Sequence, residues 1–387
     1  MNGSGKTAKT FRISTRLLLV VLNLAAGVLR SEQAPAGSFR VGLAFRSFAP
    51  KEPYDWRGAK THALRTTIWY PAAAAAAEKP LQVPGLNFFV FGNVAQDASI
   101  LSAPAKFPLI LLSHGTGGTA LSLAWFASAL SARGFIVAGV NHPGNNAVEP
   151  YTVEGFSTWW ERARDLTEVL DALLNDSTFG TRIDGSRIGA AGFSLGGYTM
   201  IEIAGGITDP AAFMDFCASP KADAICQSPP EFPTLVEDFK KLTKERPDFL
   251  RHANDSYRDQ RVRGVFAMAP ALGPAFRPGS LRKISIPVQI VAGEGDTNVP
   301  VGSGAKYLAA NIPGAKVVIY PGAVGHYVFL DSCTEQGRKS APILCRDAAG
   351  VDRDVVHSQT VNLALQFFSR LLQVRETSVP LSQSGSQ

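Results

Sequence analysis

Charge and cysteine are both scarce in this chain. Of its 387 residues 18% are charged and 45% hydrophobic, which excludes a disordered chain and points to a large buried core. The formal charge is +6, but Lys6, Lys9, Arg12, Arg16 and Arg30 stand against Glu32 alone in the first 36 residues. The remainder carries only +2, too little to recruit a polyanion, so no nucleic-acid partner is expected. The apolar run 17–29 has thirteen residues, short of the roughly 20 that a membrane span needs. No Cys follows that run, which argues against a lipoprotein anchor. The chain has four cysteines and no C-x-x-C cluster, so a structural zinc site is not indicated. No metal-ligand cluster and no cofactor motif stand out, and none is expected. No internal repeat is evident.

The leader explains the surplus charge. A basic stretch from Lys6 to Arg16, the apolar run and the small residues Ala34-Pro35-Ala36 form the pattern of a signal peptide over 1–36. The expectation is a periplasmic or secreted protein with a cleaved leader. Retention as an anchor is the alternative, and Arg30 between run and cleavage site keeps it open. An oxidising compartment pairs Cys217 with Cys226 and Cys333 with Cys345, nine and twelve residues apart. Each bridge would stabilise by ~2–3 kcal/mol through loop closure. Four free buried thiols are the alternative, better suited to a cytosolic protein.

Along the chain, 39–48 and 61–70 read as strands, followed by a loop rich in Ala, Pro and Gly over 71–107. Then the rhythm changes. The continuous apolar run 109–113 predicts a strand buried on both faces. Strands at 135–141, 187–192, 265–269, 288–292 and 316–320 alternate with helices at 120–133, 158–175, 195–204 and 355–372. This order predicts an α/β fold with a mostly parallel sheet and helices on both faces, one domain over 37–374. A gap at about 207–262 interrupts it. The gap contains Phe213, Phe216, Phe232, Phe239 and Phe249 and reads as a cap insertion over a site at the strand ends, its phenylalanines, Phe213 and Phe216 among them, lining an acyl channel. A surface excursion is the plainer reading. The polar tail 375–387 is expected to be disordered.

Gly192-Phe193-Ser194-Leu195-Gly196-Gly197 follows a buried strand and opens a helix, the setting of a nucleophile elbow in the α/β-hydrolase fold. The sharp turn lifts a serine hydroxyl above the sheet, with a helix N-terminus behind it. Such a hydroxyl needs a base held by a third group, in the chain order Ser, acid, His. Of the six histidines, His62, His114 and His142 precede Ser194, His252 falls in the insertion and His357 on the last helix. His326, in the glycine-rich loop 321–326 just past a strand, is the candidate base. Asp296, in the loop 293–300, is the candidate acid; Glu294 and Asp331 are rivals. The backbone N–H groups of Leu195 and of Thr116, in Ser113-His114-Gly115-Thr116-Gly117-Gly118, are the candidate oxyanion donors. His114 reads as support for that loop. His142, in Asn141-His142-Pro143-Gly144, is left with at most a substrate contact.

With Thr67-Ile68-Trp69-Tyr70-Pro71 and Gly134-Phe135, these motifs resemble the predicted dienelactone hydrolase group and the platelet-activating-factor acetylhydrolase family, over about 40–372. The resemblance implies an esterase acting on short or oxidised acyl groups, on phospholipids or on other carboxylic esters. Dienelactone hydrolases use a Cys nucleophile, and no Cys sits in this elbow, so lactone hydrolysis is not carried over. The acetylhydrolases bind lipid aggregates through apolar surface helices, and no equivalent stands out beyond the cap; peripheral membrane contact stays open. The partner expected is a small-molecule or lipid ester. A peptidase or acyltransferase using the same residues, and a silent binding module, are the alternatives.

Overall fold

The apolar run 109–113 lies near the middle of a ten-stranded sheet. In the computed structural model, which describes Met1 and residues 38–374, the strands are β1 (Arg40–Phe48), β2 (Leu64–Ala72), β3 (Lys79–Pro80), β4 (Asn93–Gln96), β5 (Phe107–Ser113), β6 (Ile136–Val140), β7 (Ile183–Phe193), β8 (Val262–Met268), β9 (Val288–Gly293) and β10 (Lys316–Tyr320). Their order is β10-β9-β8-β7-β5-β6-β2-β1-β4-β3. From β6 through β10 the pairs are parallel, whereas β2 runs antiparallel to both β1 and β6. The fold is an α/β-hydrolase fold. The expected leader and tail lie outside the described residues.

Alternation along β5 explains the two-sided core. Leu109 and Leu111 pack in one apolar cluster with Leu166, Val169 and Leu170 of the helix Glu161–Leu174. Ile110 and Leu112 point the other way, into a second cluster with Phe126 and Phe368. Those two come from the helices Ala124–Ser131 and Arg353–Leu371. A strand covered on both faces has no solvent side, so its sequence is apolar throughout.

Several boundaries differ from expectation. The loop 71–107 contains β3 and β4, edge strands too short to show a period. The helix anticipated from 158 begins at Glu161, after a separate turn of helix at Val153–Ser157. The helices Ala305–Asn311, Glu335–Ser340 and Pro342–Cys345 were not anticipated. The insertion ends one residue early, because Val262 opens β8. Its helices Pro210–Ala218 and Leu235–Glu245 flank the Cys217–Cys226 disulfide, and Cys333–Cys345 is bonded too. Among the described residues no helix is long and apolar enough to cross a membrane.

The last helix docks through His357. Its ring stacks on Trp125 at 3.7 Å and 5°, and Nε2 donates to the Val328 carbonyl at 2.7 Å. Burial holds the imidazole pKa down at about 4, so the folded state keeps it neutral. Between pH 6.5 and 4 the unfolded chain takes up a proton that the fold refuses, and stability falls as pH falls. Urea unfolding at pH 7 and pH 4.5 should show the His357→Gln protein losing about 2 kcal/mol less than the parent across that interval. Equal losses would mean that His357 titrates normally.

Candidate active site

Ser194 sits between β7 and the helix Leu195–Ile203 with φ 56° and ψ −116°, a strained conformation for a residue with a side chain. Its N–H donates to the Met268 carbonyl at 2.9 Å, and its carbonyl accepts from Ala271 N–H at 3.1 Å, so β8 and the following loop hold the turn. A Cβ on Gly196 would lie 2.0 Å from the Ser113 carbonyl oxygen. The elbow therefore rests directly on the end of β5, and only glycine fits there.

Ser194 Oγ lies 2.9 Å from His326 Nε2, and His326 Nδ1 lies 2.6 Å from Asp296 Oδ2. All three side chains are buried. Asp296 Oδ1 also accepts the N–H groups of Asn298 and Val299 at 3.0 and 2.7 Å, which fixes the carboxylate in its own loop. The two loops interlock: a Cβ on Gly293 would lie 2.1 Å from the Val324 carbonyl oxygen. The rivals point elsewhere. Glu294 accepts the Gly322 N–H at 2.7 Å. Asp331 accepts Ala124 and Trp125 N–H at 3.1 and 2.8 Å, capping a helix, and burial pushes its pKa up to about 8. His252 pairs with Asp255 at an exposed position.

A cavity of about 1080 Å³ opens above Ser194 and His326, and Thr116 and Leu195 line it too. Among the described residues neither the Thr116 nor the Leu195 backbone N–H has an internal acceptor. The Thr116 loop is fixed from the far side: Asn145 Oδ1 accepts Gly117 N–H at 2.8 Å, and Tyr151 donates to the Gly117 carbonyl at 2.9 Å. The cap forms one wall, with Phe213 and Phe239 in it. Phe216 is not a lining residue, which corrects the expectation that it faces the site, and Phe232 packs on Phe156 at 5.1 Å. Leu86, Phe88, Phe89 and Phe91 of the Ala/Pro/Gly-rich loop line it as well. Low periodicity hid that role. Among the described residues no cluster of three or more His, Cys, Asp or Glu side chains converges as a metal site.

Beneath the Thr116 loop lies a second chain of the same connectivity. Ser113 Oγ is 2.8 Å from His142 Nε2, and His142 Nδ1 is 2.6 Å from Asp165 Oδ2. Every member is fully buried and none lines the cavity, so His142 has no route to a substrate. Asp165 Oδ1 also accepts from Arg57 at 2.7 Å and from the Tyr54 hydroxyl. Arg162 donates to the His114 carbonyl, and His114 Nε2 accepts His142 N–H at 3.2 Å. Burial, then Arg162, holds both imidazoles well below their ordinary pKa. Neutral His142 thus donates from Nδ1 and accepts the Ser113 proton at Nε2. Burial also lowers Arg162, to about 9. The sequence offered His142 as a signal, but nothing in it joined Arg57, Asp165 and Arg162 to that position.

The sequence profile of the alpha/beta hydrolase family matches residues 109–336. The chain belongs to the alpha/beta hydrolase family. A solved ferulic acid esterase from Streptomyces cinnamoneus is similar over 92% of this chain and 96% of its own, with a TM-score of 0.59 and 21% identity. At that identity the likeness supports the fold of this hydrolase.

Removing one partner of a buried ion pair leaves the other charge uncompensated, which costs about 3–5 kcal/mol. Asp165→Asn should lower the unfolding free energy of the hydrolase by that amount in urea titrations. A loss under about 1 kcal/mol would show that Arg57 and Arg162 do not depend on this carboxylate.

Proposed function

We propose that this hydrolase is a serine carboxylic ester hydrolase, with Ser194 as nucleophile, His326 as base and Asp296 as the group that orients it. The continuous hydrogen-bonded chain from Ser194 through His326 to Asp296, at the floor of an apolar cavity, carries the reading. Ser194 Oγ attacks the ester carbonyl carbon while His326 Nε2 takes its proton. The tetrahedral oxyanion is held by the N–H groups of Thr116 and Leu195. Collapse expels the alcohol, which receives the proton from His326, and leaves an acyl group on Ser194. Water, deprotonated by His326, repeats the attack and releases the acid. Asp296, accepting from Nδ1, keeps Nε2 free to accept.

The substrate class is a carboxyl ester, and short-acyl phospholipids of the kind the platelet-activating-factor acetylhydrolases take belong within it. The large apolar cavity supports acyl groups beyond acetate. The two disulfides support an oxidising, extracytoplasmic location, with 1–36 as a leader, 37–374 as the hydrolase domain and 375–387 as a tail.

Ser194→Ala and His326→Ala should each remove nearly all p-nitrophenyl butyrate hydrolysis while leaving the unfolding transition intact. The double variant should be little worse, because the residues act as one unit. Substantial turnover by purified Ser194→Ala, or a phosphonate probe that labels a different residue, would refute the assignment.

Phe213→Ala and Phe239→Ala should shift preference towards short esters. Each buried methylene contributes ~0.8 kcal/mol against an apolar wall. The variants should therefore lose kcat/KM several-fold on octanoate and little on acetate. A uniform loss across acetate, butyrate and octanoate esters would make these rings packing residues of the cap.

A further inference from the structure

Among the side chains that line the cavity with Ser194, Glu231 is the one carboxylate. It follows Pro229-Pro230, and a turn in which Phe232 N–H donates to the Pro229 carbonyl at 2.9 Å sets its position. Two successive prolines restrict φ and leave the segment little freedom. The side chain lies over the oxyanion loop. Its Cγ and Cβ stand 3.2 and 3.3 Å from the point where a Cβ on Gly117 would be, and the Tyr151 hydroxyl stands 3.0 Å from that point. Gly117 has φ +60°, so glycine suits the turn and also leaves room for Glu231.

Among the described residues the carboxyl lacks a side-chain hydrogen-bond partner. Its own backbone N–H hydrogen-bonds it, and His326 acts on it through space, but burial dominates and raises its pKa. Among the described residues no side chain donates a hydrogen bond to it and no cation pairs with it. The phenols of Tyr151 and Tyr327, which line the same cavity, are raised by burial and then by Glu231. The carboxylate is half-buried, and with only its own backbone N–H on it, it keeps acceptor capacity for a ligand in the cavity.

We propose that Glu231 is a specificity-determining residue that accepts a hydrogen bond from a hydroxyl group on the acyl part of the substrate. The inference rests on the esterase reading and narrows it to hydroxyl-bearing acyl esters. A cation would also satisfy the carboxylate, but it would have to shed its own hydration among Phe213, Phe239 and Trp159, which is far more costly than desolvating a hydroxyl. The acyl side is chosen because Glu231 belongs to the same cap wall as Phe213 and Phe239. A site built around such an acceptor discriminates strongly against the analogue that lacks the donor.

The test compares kcat/KM on p-nitrophenyl esters of four, six and eight acyl carbons with their ω-hydroxylated counterparts. The parent enzyme should favour the hydroxylated member by about tenfold at the best-fitting length. In Glu231→Leu that ratio should collapse to about one or below, and in Glu231→Gln, which keeps an acceptor, it should be intermediate. Using ratios cancels any fraction of misfolded protein. No preference at any length in the parent, or a ratio that survives in Glu231→Leu, would overturn the proposal. If no ester is turned over, the esterase reading fails separately. The hydroxyl is then tested by calorimetric titration of Ser194→Ala with the six-carbon pair, where about tenfold tighter binding of the hydroxylated ester should vanish in Ser194→Ala/Glu231→Leu. Equal Kd values for the pair in Ser194→Ala would overturn it there.

Discussion

Asp165 ties one guanidinium group, one phenol and one imidazole to the end of the strand on which the elbow rests. Its carboxylate accepts from Arg57, from Tyr54 and from His142, all buried. Through His142 it reaches Ser113, and Arg162 beside it reaches the His114 carbonyl. The backbone of Ser113 is the surface against which Gly196 packs, so the position of Ser194 inherits from that network. Charges in such a place are costly unless every partner is present. The network thus ties the backbone at the start of the Thr116 loop to residues of three separate elements.

Much of this was legible in the residues. The two-sided burial of β5 follows from an unbroken apolar run, and the elbow from glycines flanking a serine between strand and helix. The order Ser, acid, His then picked out residues that the fold brings together, although their roles remain a proposal. What escaped shares a physical cause. Leu86, Phe88 and Glu231 reach the cavity through where their backbone goes, in stretches with no period to reveal it. Phe216 looked equivalent to Phe213 by composition, yet only one of them faces the cavity. The Asp165 network escaped because its members are spread from Tyr54 to Asp165 and meet only when β5, β6 and the helix Glu161–Leu174 assemble.

The cavity is a composite. At its floor the loops that carry Asp296 and His326 interlock backbone to backbone, and strand ends carry both. Its walls come from the cap and from the loop after β3, which have few fully buried residues; the helix Leu235–Glu245 buries none completely. Floor and walls are thus parts of different burial, and a change in the walls leaves the buried contacts of the floor in place.

The positions of the disulfides carry this separation into biogenesis. Both bridges close short local loops in the walls, one inside the cap and one beside the strand-like contact of Phe89 with Cys333. Neither crosses the sheet. Assembly of the sheet and its reacting groups therefore has no oxidation step in it, and thiol chemistry acts only on the surroundings of the substrate. The bridges therefore act on the lining of the cavity and leave the strand-to-strand contacts of the sheet unlinked.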